Sequence, residues 1–513
     1  MNYEALLNNI SFYLLDPTAA PDADGLHVVP RGDGSWVRLL LLPEARFDMV
    51  NARLPRDGPE MRLRLGDICK IPRMSTFAIG VMINWGVSQM PGNLAFVNVG
   101  VWNGFTFLAG MIGNANKTCI GVDNFSEFGG PRDDFMARFE RYRSPNHHFY
   151  DADYSDYFAA LHNQPIGFYI YDGDHSYENQ LRGLQLPEPF FADNCIVLVD
   201  DTNWPEPRQA TLDFIDQSPH GYRISFDAST SGNCHPTFWN GVMVLQRTGR
   251  TGRPVRRGRR REEAGAASDG VDRQIGDAKW HGARAIDSEG RNTRLRPLVS
   301  IIIDANSRRR GRVEETIECA VRQTYLNIEV IAVHGGADPA KQAIARFGGQ
   351  IIAVQSDSAG EPAAFRAGLR RSRGDPVCLL TADDTLPTNA VGMAIAAWQH
   401  GMQVRQSMRE LKRLIPAGEA FILVDEDLWD VDDVALRRIP FLERDGQYWG
   451  KPSDDEMAIR EFERLRRAGA RFLAFACPAF WWLDYYRGLH DHLRSHFLCV
   501  LENERLIVFD LRQ

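Results

Sequence analysis

Asp172 and His175 stand three residues apart in "YDGDHSY", directly behind the apolar run "IGFYI". Asp200 and Asp201 close a second apolar run, "NCIVLV". If these runs are neighbouring strands, three carboxylates meet at one sheet edge. Like charges held close raise one another's pKa, and a divalent cation relieves that cost. All-oxygen ligation suits Mg²⁺ or Mn²⁺ better than zinc, so Asp172, Asp200 and Asp201 are the candidate metal ligands. A histidine three residues past one ligand faces the same mouth if a turn starts there. Histidine ordinarily titrates near neutrality, which suits His175 to take a proton from a hydroxyl. The bland alternative is an ordinary acidic loop, and Asp174 is placed to face solvent or cap the next helix.

Upstream, "LAFVNVGVWNGFTFLAGM" runs from an apolar strand into a helix, with Gly100 ending the strand and Gly104 opening the helix. Glycine allows the tight turn and leaves bare backbone for a cofactor to lie against. The spacing is G-x-x-x-G, not the G-x-G-x-x-G of dinucleotide folds. The next apolar run, "KTCIGVDNF", ends in Asp123, placed to accept hydrogen bonds from ribose hydroxyls. Asp151 and Asp153 follow the third strand, where an acid can receive an adenine amino group.

These positions require alternating strands and helices, an α/β organisation. The segment "FSEFGGPRDDFMARFERYR" fits a loop and lid helix over a cofactor. "STSGNCHPTFWNG" fits beside an acceptor pocket, with Trp102, Trp204 and Trp239 as ring faces or as packing. Residues 247–270 are rich in Arg and Gly, with eight arginines between Arg247 and Arg261. This predicts a flexible linker over 248–296. Two further α/β blocks follow, 297–403 and 404–513.

The N-terminal block, residues 1–247, resembles over roughly residues 60–247 the class I S-adenosylmethionine-dependent methyltransferases, and more narrowly the metal-dependent O-methyltransferases of sugar hydroxyls. The resemblance implies a Rossmann-like fold. It implies cofactor contacts from Gly100, Gly104, Asp123, Asp153 and Asp172, Mg²⁺ (or Mn²⁺) on Asp172, Asp200 and Asp201, and His175 as catalytic base. Characterised relatives carry glutamate first in the strand-five pair; Asp200 is one methylene shorter.

The second block, "PLVSIIIDANSRRRGRVEETIECAVRQTYLNIEVIAVHGG", resembles the start of family 2 nucleotide-sugar glycosyltransferases, a partial GT-A-like region. The acidic turn of that family is replaced by "HGGAD" from His334. Asp383 and Asp384 in "LLTADDTLP" match its diphosphate–metal motif. The resemblance therefore implies a truncated or degenerate domain. The third block is a small α/β region of unassigned role. Its Trp481, Trp482, Tyr485 and Tyr486 form either a carbohydrate platform or a cluster that closes a core or a subunit contact.

The chain has 513 residues, 44% hydrophobic and 25% charged, with a net charge of −8. That balance gives no reason to expect nucleic acid as a partner. No apolar run is long enough for a membrane span, and no signal peptide is evident. Eight cysteines without a CxxC pair predict reduced, mostly buried thiols in a cytoplasmic protein. The leading expectation is an O-methyltransferase with S-adenosylmethionine and Mg²⁺, acting on a sugar, glycan or glycosylated natural product; a homo-oligomer is compatible with it. The alternatives are a bifunctional methyltransferase/glycosyltransferase using a nucleotide-sugar, and a non-catalytic carbohydrate-binding or scaffold protein.

Overall fold

The computed structural model describes residues 3–42, 45–55, 59–126, 130–248, 297–306, 310–335, 338–356, 361–426, 428–429, 437–444 and 446–512. The linker expected over 248–296 lies outside them, except for Thr248 at the end of a strand. The chain forms two compact units, Met1–Asp22 with Leu26–Ala394, and Ala23–Gly25 with Ile395–Gln513. Both are α/β, as expected.

In chain order, the first unit contains β1 (His27–Pro30), β2 (Trp36–Leu39), α1 (Phe77–Gln89), β3 (Ala95–Val99), α2 (Phe105–Met111) and β4 (Thr118–Asp123). There follow α3 (Arg132–Tyr142), β5 (His147–Asp151), α4 (Tyr154–Ala160), β6 (Ile166–Tyr171), α5 (Tyr177–Gln185), β7 (Phe191–Asp200), α6 (Pro205–Gln217), β8 (Gly221–Ala228) and β9 (Val242–Thr248). Seven strands make one sheet in the order β8-β9-β7-β6-β3-β4-β5. The five strands from β7 to β5 are parallel, while β9 and β8 run antiparallel at one side. The central strands "AFVNV" and "IGFYIY" are buried along their whole length. A parallel strand covered on both faces needs that continuous apolar run.

Register sets the site. Val99 pairs with both Val122 and Tyr171, and Tyr171 pairs with Val199. So β3, β4, β6 and β7 end nearly level, and the residues after them share one edge. Strand order reverses at β3, which has β4 on one side and β6 on the other. Open α/β sheets bind ligands in the crevice at such a switch point.

Of the segment expected to form a loop and lid helix, residues 127–129 lie outside the described residues, and the helix α3 is anchored. Phe135 and Phe139 of α3 are buried, stack on each other and pack against Phe107 of α2 and Phe149 of β5. Burial of two phenylalanines holds this helix in place.

A second sheet in the same unit uses β10 (Val299–Asp304), α7 (Arg310–Val321), β11 (Ile328–His334), β12 (Ile352–Gln355), α8 (Glu361–Arg371) and β13 (Val377–Thr381). Its order is β12-β11-β10-β13-β2-β1. Residues 27–39, inside the block 1–247 expected to form one domain, thus extend this sheet, β2 pairing parallel with β13 and β1 antiparallel with β2.

The second unit contains β14 (Ala420–Val424), β15 (Arg437–Pro440), α9 (Asp455–Arg467), β16 (Ala470–Ala476), α10 (Trp481–Tyr485), α11 (Arg487–His496), β17 (Leu498–Glu502) and β18 (Leu506–Asp510). The sheet order is β15-β14-β16-β18-β17, with β15, β14 and β16 parallel. Among the described residues no helix is long and apolar enough to cross a membrane.

Candidate active site

The turn after β3 needs its glycines. Gly100 and Gly104 have φ of 77° and 99°. A Cβ on Gly100 would collide with the Asp172 carbonyl, and one on Gly104 would lie 2.8 Å from the Phe135 ring. The crossing of the β3 and β6 ends is therefore closer than any side chain allows. Asp123 braces the same turn. Its Oδ2 accepts from the Val101 and Trp102 amides at 2.7 and 2.8 Å, and its Oδ1 from the Phe125 amide at 2.7 Å.

Asp172, His175 and Asp201 meet beside it. His175 Nε2 lies 3.2 Å from Asp201 Oδ2 and 3.8 Å from Asp172 Oδ1. His175 Nδ1 is 3.3 Å from Gln180 Oε1, a fully buried side chain of α5. The sequence reading missed Gln180; its only signal is its place one helical turn beyond the loop. Asp200 is buried and its Oδ1 accepts from the Asp201 amide at 3.0 Å. Asp201 adopts φ of 55°, and its Oδ1 is buried with no hydrogen-bond partner. Burial pushes the Asp200 carboxyl well up, and Asp201 and Asp172 add to the shift. Asp201 is raised chiefly by burial, against His175 and Asn240.

The loop after β8 closes the far wall. Asn203 Nδ2 donates to Thr230 Oγ1 at 2.7 Å, and its Oδ1 accepts from the Thr230 amide at 3.0 Å. The Asn203 amide donates to the Asn240 carbonyl at 2.7 Å. This holds "STSGNCHPTFWNG" against the end of β7. Trp204 stands edge-on to His175, with ring centres 5.8 Å apart. Asp153 stands apart from the cluster. It caps α4 through the Ser155 amide at 2.8 Å, while Asp151 pairs with Arg132 at 2.6 Å.

Asp172, Asp200 and Asp201 offer oxygen donors of the type a hard cation takes, one of them the buried, unpartnered Asp201 Oδ1. In the arrangement seen, His175 Nε2 lies against the Asp201 and Asp172 carboxyls. Among the described residues no group of three or more His, Cys, Asp or Glu side chains is arranged to hold a metal ion.

The acidic pair of the second sheet is differently engaged. Asp384 is buried and accepts from Arg46 Nε at 2.7 Å, the Thr381 amide at 2.6 Å and Thr381 Oγ1 at 2.9 Å. Asp383 is exposed. Arg46 reaches Asp384 from 338 residues away in sequence, so no local signal announces it.

The first sheet has the Rossmann-type architecture of a methyltransferase-like domain, and the second is a separate GT-A-like region. Residues 97–202 match the family model described as a methyltransferase domain, and residues 300–406 match glycosyl transferase family 2. Uncharacterized glycosyltransferases of Rickettsia prowazekii (strain Madrid E) and Rickettsia typhi (strain ATCC VR-144 / Wilmington) are each 32% identical over 96 residues, or 18% of this chain. The chain spans 30% of the length of these curated relatives. Among solved structures, an O-methyltransferase from Bacillus cereus in complex with SAH is 12% identical, covering 37% of this chain and 90% of that one, with a TM-score of 0.28. A methyltransferase from Podospora anserina, SAH-bound, is 12% identical over 37% of this chain and 85% of that one, with a TM-score of 0.27.

Proposed function

We propose that the protein is a Mg²⁺-dependent O-methyltransferase acting on a hydroxyl of a sugar, glycan or glycosylated natural product. The observation that carries this reading is the placement of His175 Nε2 between Asp201 and Asp172, at the edge where Gly100 and Asp172 cross. S-adenosylmethionine supplies the electrophilic methyl group. Gly100, Gly104, Asp123, Asp153 and Asp172 are the residues to hold it, the glycines by leaving bare backbone and Asp123 by its carboxylate. Asp172, Asp200 and Asp201 are the residues to hold Mg²⁺, which would acidify the acceptor hydroxyl.

With Nδ1–H donated to Gln180, His175 presents the Nε2 lone pair as base. The proton it takes then sits on Nε2 facing Asp201 Oδ2, so a carboxylate stabilises the imidazolium that forms. Trp204 beside it offers a flat face that would orient a sugar ring. An active glycosyltransferase in the second sheet is disfavoured, because Arg46 and Thr381 already occupy Asp384.

The test is transfer of labelled methyl from S-adenosylmethionine to a panel of glycosides by the full-length protein. His175→Ala should lose roughly 10²–10⁴-fold in turnover while keeping cofactor affinity, and chelation should stop transfer until Mg²⁺ is restored. Full activity in chelator would remove the metal role. Wild-type turnover in His175→Ala would remove the base.

A further inference from the structure

The second unit repeats the geometry that makes sheet edges into binding sites. Its strand order reverses at β14, which has β15 on one side and β16 on the other, all three parallel. Ligands of open α/β sheets lie outside the carboxyl ends at such a point. Glu426 follows β14 there, and Trp481 follows β16. Glu426 adopts φ of 57°, rare for a residue with a side chain and concentrated at ligand sites.

The aromatic cluster divides cleanly. Trp482 and Tyr486, four residues apart, are buried and belong to the core. Trp481 and Tyr485, also four apart, face outward at 38% and 67% exposure, with ring centres 5.8 Å apart. Both indole N–H groups donate to Glu426 Oε1, from Trp481 at 2.7 Å and Trp482 at 3.0 Å. Lys451 Nζ lies 3.2 Å from Glu426 Oε2 and 4.7 Å from the Trp481 ring centre. Tyr486, the residue after α10, donates its hydroxyl to the Pro452 carbonyl at 2.7 Å, tying the Lys451 segment to the end of that helix. Burial would push the Glu426 carboxyl up, but these donors outweigh it and hold it below its ordinary range.

Packing alone does not need this construction. A core tryptophan buries its faces, whereas Trp481 is pinned by its N–H and leaves ring surface in water. Its N–H is consumed by Glu426, and Lys451 Nζ stands over the ring, so apolar ring surface lies next to an ammonium. Beside it stand a fixed carboxylate and a half-exposed ammonium. A pyranose ring has the matching chemistry, one face of C–H groups and a rim of hydroxyls that donate and accept. The family 2 glycosyltransferase-like segment on the same chain favours a sugar over an apolar peptide. We propose that Trp481, Tyr485, Glu426 and Lys451 form a carbohydrate-binding site in the second unit, which takes a pyranose residue of a glycan by stacking and hydroxyl hydrogen bonds. It does not depend on methyl transfer at the other site.

The test is affinity electrophoresis of the full-length protein through native gels containing dextran, mannan or galactan. The expected result is retardation by at least one polymer, weakened about tenfold or more by Trp481→Ala. Tyr485→Ala, whose exposed phenol leaves the core untouched, should weaken it in the same gel. Trp36→Ala, an exposed tryptophan of the other unit, should not. Unretarded migration in all three polymers would overturn the proposal. Equal retardation of wild type and both cluster variants would do the same. So would a change in oligomeric state on Tyr485→Ala without loss of retardation, which would make the surface a contact between copies.

Discussion

Burial pushes the Asp172 carboxyl up to about 7; His175 opposes the shift, and Asp201 and Asp123 add to it. An unfolded aspartate titrates near 4. Between about pH 4 and pH 7 the native state therefore keeps a proton that the unfolded chain has lost, so stability falls as pH rises through that window. Asp172→Asn removes the penalty. Its stabilising effect on the cofactor-free protein should be near zero at pH 4, grow with pH and level off above about pH 7. Thermal melts of both proteins across that range check this, and subtraction cancels His27, which burial lowers to about 4 and which acts in the opposite sense. A constant difference would mean that Asp172 is not strained by its charge. The variant should lose methyl transfer, a trade of function against stability common at sites of crowded charge.

The turn between β3 and α2 is the element on which the arrangement depends. Gly100→Ala places a Cβ against the Asp172 carbonyl at a φ that alanine disfavours. It should cost about 1–3 kcal/mol of stability and weaken S-adenosylmethionine binding, read by denaturant melts and a cofactor titration on the same preparation. An unaffected variant would show that β3 and β6 need not cross so closely. This turn was legible in the sequence because its causes are local: a buried strand, two glycines and an acid one strand further on. So were the ends of β6 and β7, where apolar runs stop at Asp172 and Asp200. The anchoring of α3 was not legible, because Phe135 and Phe139 show their role only once Phe149 lies beneath them. Gln180 was equally silent, since a buried glutamine is identified by the group it touches.

The chain does not divide where its composition does. Residues 27–39 leave the N-terminal sheet's sequence block to extend the second sheet, and two residues near them tie both. Arg46 pairs with Asp384 of the second sheet, while Asp48 binds Arg73 at 2.8 Å and caps the Phe77 amide of α1 at 2.6 Å. Long-range pairings of this kind leave no trace in periodicity or spacing. Arg46→Ala strands a buried carboxylate and should destabilise the first unit by roughly 3–5 kcal/mol. Removing both charges in Arg46→Met with Asp384→Asn, which keeps an acceptor oxygen for the buried Thr381 amide, should recover most of it, as measured by denaturant unfolding. A double variant as unstable as the single one would mean that the pair does more than balance charge.

All functional readings of the N-terminal sheet rest on one binding event. Calorimetric titration of the full-length protein with S-adenosylmethionine should give saturable binding at one site per chain. Asp123→Ala should weaken it by about ten- to hundredfold, the cost of roughly 1–3 kcal/mol in lost hydrogen bonds and a loosened turn. Absence of binding by the wild-type chain, or unchanged affinity in a folded Asp123→Ala protein, would contradict the account.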